Sequence, residues 1–132
     1  MRMTKVILIG WALLQFAEPV FSHHAFTAEY DSSKLRQFLG TVTKVEWTNP
    51  HARFYLDVKD DRGTLNWNFE LGSPLLLRRL GWRQDSLKIG DQVTVEGYLA
   101  KDGAKMANAR SITLSDGRKV FAGSSADGNP TK

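Results

Sequence analysis

From Arg36 onward apolar residues recur at every second position, in short runs broken by Gly, Asp, Asn and Pro. A period of two sets one side of an extended strand in a core and the other in water, which commits this stretch to β-structure. In the first run Phe38, Gly40, Val42, Lys44 and Glu46 alternate with Leu39, Thr41, Thr43, Val45 and Trp47, and the apolar side changes phase around Gly40 to Val42. A phase change beside glycine predicts a β-bulge that bends a long strand. Thr48-Asn49-Pro50 has turn chemistry. Phe54 to Val58 forms a second run, and Asp60-Asp61-Arg62-Gly63 turns it into a third, where Leu65, Trp67 and Phe69 face away from Asn66, Asn68 and Glu70. Ser73 then reads as the cap and Pro74 as the first residue of a short helix that Gly81 closes. Val93 to Leu99 and Ala107 to Leu114 are two further strands, and Val120-Phe121 is a short edge. Three strands, a helix and two strands predict an all-β fold, a small OB-like five-stranded barrel with one short helix between strands 3 and 4, in which closure removes exposed sheet edges.

The residues before this region read as an address. Arg2 and Lys5 precede an apolar run from Val6 to Phe16, about half of what a bilayer-spanning helix needs, and Val20 and Ser22 stand three and one before a cleavage point. The expected organisation is a signal peptide over residues 1–22, an N-terminal arm over 23–35 whose Phe26 and Tyr30 pack on the barrel, the OB-like domain over 36–122, and a disordered tail over 123–132. A retained membrane anchor is the alternative for the leader. The expected location is the periplasm or outside the cell, with membrane contact only through the leader during export.

Composition narrows the chemistry. Of 18 basic and 14 acidic residues, two basic and one acidic fall in the leader, which leaves a net charge of +3. That excess is too small to call for a polyanion, so nucleic acid is a disfavoured partner. There is no cysteine, hence no disulfide, thiolate nucleophile or thiolate metal site. No glycine-flanked serine elbow, phosphate loop or zinc-protease helix is present. Asp57, Asp60, Asp61, Glu70 and Glu96 fall at turns or on strand exteriors without an evident partner. No catalytic residue and no organic cofactor are predicted, and the chain reads as a binding protein for a small ligand or a periplasmic protein.

The sharpest local feature is the set of histidines. All three, His23, His24 and His51, follow the cleavage point, two of them at the new amino terminus. A free amine beside two imidazoles is a nitrogen-rich set that suits copper(II), and His51 adds a third imidazole if the arm folds back. The plainer reading is a solvated arm and a histidine that hydrogen-bonds its own turn. Copper(I) is poorly served, because Met106 is the one methionine after the leader. Trp47, with Asn49 in the neighbouring turn, is the candidate for an exposed stacking face toward oligosaccharide or nucleic acid.

His23-His24-Ala25-Phe26, Val42-Thr43-Lys44-Val45-Glu46-Trp47-Thr48-Asn49-Pro50-His51, Gly81-Trp82, Val93-Thr94-Val95-Glu96-Gly97-Tyr98 and Ala107-Asn108-Ala109-Arg110-Ser111 together resemble the exported proteobacterial proteins of domain-of-unknown-function family 6152. The resemblance implies export and a small β domain, and it implies no reaction. Ala25 stands where that pattern usually has Ser.

Overall fold

The computed structural model describes residues 25–127. The leader, His23, His24 and the last five residues lie outside them. A helical turn, α1, ends at residue 29 and runs into the long strand β1 (Tyr30–Glu46). The strands β2 (Arg53–Asp60) and β3 (Gly63–Glu70), the helix α2 (Pro74–Arg79), and the strands β4 (Gln92–Ala100), β5 (Met106–Thr113) and β6 (Lys119–Phe121) follow. A 3-10 turn covers Ser125–Asp127.

Strand β1 pairs with β2 on one side and β4 on the other; β2 pairs with β3, and β4 with β5. A parallel pairing of β3 with β5 then joins the two ends, so five strands form a closed ring of OB type, with α2 between β3 and β4. The short edge strand β6 lies on β5 outside the ring. The bend foreseen near Gly40 is present as a register shift between Val42 and Lys44 against β2. Gly40 itself pairs with Val58 on one side and Val93 on the other. A Cβ there would stand 2.3 Å from the Asp57 carbonyl oxygen, so the glycine is required by the close approach of β2.

Inward residues of the ring make one core. Phe54 stacks on Phe69 with ring centroids 5.0 Å apart, and Phe38 meets Phe69 edge-on at 5.1 Å. Each fully buried side chain of this size contributes about 1.5–3 kcal/mol by leaving water. The Arg36 guanidinium covers the Phe38 ring at 4.8 Å. Helix α2 starts as its sequence dictates, with Ser73 Oγ accepting from the Leu76 amide at 3.2 Å and Pro74 in the first position. After α2, the Trp82 indole N–H donates to the Phe121 carbonyl at 2.8 Å.

Two boundaries differ from the sequence expectation. Strand β1 begins at Tyr30, inside the expected arm; alternation is lost over residues 31–34 because the pairing with β4 is interrupted between Tyr30 and Leu35. At the other end the ordered chain runs past residue 122. Ser124 is buried and donates to Asn108 Oδ1 at 2.6 Å, and Gly72 donates its N–H to Ala122 at 2.8 Å. Residues 123–127 therefore pack on β5, and the composition that suggested disorder there reflects a tight turn instead.

Gly40→Ala is expected to cost about 1–3 kcal/mol through overpacking against backbone, lowering the midpoint of thermal unfolding by roughly 4–8 °C per kcal/mol. An unchanged midpoint would show that β1 and β2 do not approach this closely.

Candidate functional site

The β2–β3 hairpin has a strict register, Asp60 opposite Gly63 and, seven pairs on, Arg53 opposite Glu70. The ladder continues past the strands, with Ala52 N–H donating to Gly72 at 3.0 Å and Leu71 N–H to Ala52 at 2.9 Å. That continuation fixes the backbone around His51, which follows the cis Asn49–Pro50 bond. His51 Nδ1 lies 3.2 Å from the Leu71 carbonyl oxygen. A carbonyl can only accept, so Nδ1 is the donor in this contact.

Alternation along β3 should turn Glu70 to water, because Phe69 faces the core. It does not, since Tyr30, Arg53 and Asn108 close around it, at a cleft also lined by α1 and Ser125. Glu70 is 8 % exposed. Arg53 Nη2 donates to its Oε2 at 2.9 Å, the Tyr30 hydroxyl donates to the same oxygen at 3.2 Å, and Asn108 Nδ2 donates to Oε1 at 3.3 Å. Asn108 is held in turn by Ser124, and Arg53 Nη1 donates to Asn68 Oδ1 at 3.3 Å. The expectation that Glu70 lacks a partner is thus corrected: a carboxylate so buried persists only with its lone pairs occupied, and here three residues occupy them.

Beside this network an aromatic clasp holds α1 down. Phe26 packs 5.6 Å from Tyr30 and edge-on to Tyr98 at 5.5 Å, and all three are buried. The Lys101 ammonium donates to the Thr27 carbonyl, and the Lys101 N–H to Glu29 at 2.9 Å. Phe26 and Tyr30 pack on the ring as their apolar character suggested.

Between α1 and the hairpin end lies a cleft of about 210 Å³. Ala25, Phe26 and Glu29 form one wall, His51, Arg53 and Glu70 the other, and Ser125 closes it. Of the residues singled out in the sequence, His51 reaches this cleft. Trp47 and Asn49 do not line it: Asn49 is exposed in the turn, while Trp47 packs half-buried against the core with the Arg78 guanidinium 6.0 Å from its ring centroid. Its indole N–H is buried and unpartnered among the described residues. Among those residues no three His, Cys, Asp or Glu side chains converge as metal ligands. Arg53, Tyr30 and Asn108 were not foreseen as members of a site. The Arg53–Glu70 pair carried a usable signal, since counting the hairpin register back from Gly63 sets the two charges opposite one another.

Comparison with known proteins gives a family and a distant likeness. The sequence model for the family of unknown function DUF6152 matches residues 12–109. No curated protein matches. Among solved structures the chain is similar to the mitochondrial single-stranded DNA binding protein Rim1 of S. cerevisiae, at 14% identity and a TM-score of 0.48, over 62% of this chain and 93% of that one.

Burial, and next the adjacent Glu70 carboxylate, hold the Tyr30 phenol neutral well above its ordinary pKa of 10.0. Stability from this neutral phenol is complete below about pH 10 and is lost as pH rises above it, because the unfolded chain releases the proton first. Tyr30→Phe should therefore flatten the fall in urea-unfolding stability as pH rises above about 10, while costing about 1 kcal/mol at neutral pH for the lost hydrogen bond. An equally steep alkaline fall in the variant would refute this assignment.

Proposed function

This chain belongs to the family of unknown function DUF6152, and on that footing we propose that it is an exported, non-enzymatic binding module of OB type whose small ligand enters the cleft beside α1. The observation that carries the reading is the fixed polar wall of the cleft. Glu70, Arg53 and His51 are each held by groups of the fold, so a ligand meets donors and acceptors already oriented and little ordering cost remains at binding. At about 210 Å³ the cleft is below the usual range for drug-sized ligands, which favours an ion or a small organic molecule of few atoms.

The same wall argues against catalysis. A general base must be free to take a proton, and the Glu70 oxygens already accept from Tyr30, Arg53 and Asn108. Export rests on Arg2, Lys5, the apolar run from Val6 to Phe16 and the small residue at Ser22. No helix of the described residues is long and apolar enough to cross a membrane.

Expression of the full chain in a Gram-negative host, followed by osmotic shock and intact-mass measurement, should give a periplasmic product that begins at His23. Uncut chain in the cytosol would overturn the export reading. For binding, thermal-shift measurements with millimolar small carboxylates, amines, monosaccharides and divalent ions should raise the unfolding midpoint for at least one class. A ligand at a hundred times its Kd stabilises by about 2.7 kcal/mol, and no response across the panel would count against the cleft as a ligand site.

A further inference from the structure

We infer that the ligand of the cleft is a small zwitterion of the amino-acid type, its carboxylate received by Arg53 and its ammonium by Glu29; this deepens the reading of the cleft as a ligand site and rests on it. Size limits the occupant at the outset. About 210 Å³ holds on the order of seven water molecules at about 30 Å³ each, so a peptide or a sugar chain is too large.

The charges on the two walls then select among small molecules. Apart from His51, the ionisable side chains of the lining are Glu29 on the α1 wall and Arg53 and Glu70 on the hairpin wall. Glu70 is already engaged by Tyr30, Arg53 and Asn108. Arg53 is only partly committed. A guanidinium carries five N–H groups; one on Nη2 goes to Glu70 at 2.9 Å and one on Nη1 to Asn68 at 3.3 Å, which leaves three for a guest. Its side chain is also the more open of the pair, 27 % exposed against 11 % for Glu70. Glu29 is exposed at the end of α1, and its carboxylate has no hydrogen bond or ion pair among the described residues. The Tyr30 phenol gives these groups a common neighbourhood. Bonded to Glu70, it is acted on by the charges of both Arg53 and Glu29, the first favouring the phenolate and the second the neutral phenol.

A ligand of one sign fits this arrangement badly. A simple carboxylate against Arg53 sits in a cleft where two glutamates face one arginine, and a simple ammonium against Glu29 meets Arg53 across it. Each loses to the like charge part of what it gains from the opposite one, and partly buried walls leave little water to screen either term. A molecule with both charges a few bonds apart meets an opposite charge at each end. Its carboxylate matches the planar donor fork of arginine, which Glu70 and Asn68 already orient. Ala25 and Phe26 add an apolar strip to the lining, which suits a short aliphatic side chain.

The test titrates the folded chain by isothermal calorimetry with glycine, L-alanine and β-alanine, and with acetate and methylammonium as the two single-charge halves. The zwitterions should bind at least about tenfold more tightly than either half, and glycine should move the Phe26 and His51 amide resonances. Glu29→Gln, a change of charge without change of shape at an exposed position, should weaken glycine about tenfold and leave acetate no weaker. Arg53→Lys, verified as folded by circular dichroism, should weaken glycine and acetate alike, because the fork is lost; if it does not fold, Glu29→Gln decides alone. Acetate or methylammonium binding as tightly as glycine, or glycine binding untouched by Glu29→Gln, would overturn the zwitterion while keeping the cleft as a ligand site. Glycine binding that leaves the Phe26 and His51 resonances in place would overturn it as well. No binding by any of the five, with a response to another class in the wider ligand panel, would have the same meaning, and silence across both sets would remove the cleft reading too.

Discussion

Every backbone group in a sheet needs a partner, and in this ring the seventeen residues of β1 have to serve two neighbouring strands. The strand meets this demand by bending. Its later half pairs with β2 and its earlier half with β4, and the two pairings overlap at Gly40 and Thr41. At that overlap a side chain on residue 40 would strike the β2 backbone, so glycine and the adjacent bulge are what allow one strand to turn the corner of a closed structure. The parallel contact of β3 with β5 spans only Asn68 to Glu70 against Met106 to Asn108, and it depends on that curvature having brought the two strands together.

Closure has an electrostatic consequence at one end. The last residue of β3, Glu70, lies on the wall of the cleft beside α1 with its side chain buried. An isolated buried carboxylate is expensive, so the fold surrounds it with a guanidinium, a phenol and an amide. These partners come from β1, β2 and β5, three strands distant in sequence. The polar network therefore fixes how the end of the ring is assembled, and the cleft inherits its rigidity from that network.

Much of the architecture was written in the local sequence. Five alternating runs, a capped helix opening at Ser73-Pro74 and turn residues at Asp60 to Gly63 each have a short-range physical cause, and each emerged where the pattern placed it. What escaped was long-range. Alternation gives the side of the strand on which Glu70 lies, but only the approach of Tyr30, Arg53 and Asn108 decides whether that side is wet. Tyr30 was expected on the ring because it is large and apolar, yet its hydroxyl bond to a residue forty positions away has no local signature. His51 was legible as a candidate from residue type alone, and its contact with the Leu71 carbonyl needed the hairpin continuation to be seen.

One consequence concerns what the molecule does in the company of its own copies. A ring of strands offers no free rim, so β6, three residues long and carrying Lys119, is where an extra strand could be recruited. There the indole of Trp82 already occupies the Phe121 carbonyl, although the phenyl group of Phe121 stands in solvent. With its carbonyl taken by the tryptophan, Phe121 has no acceptor to offer a strand of a second chain, which works against sheet growth from chain to chain.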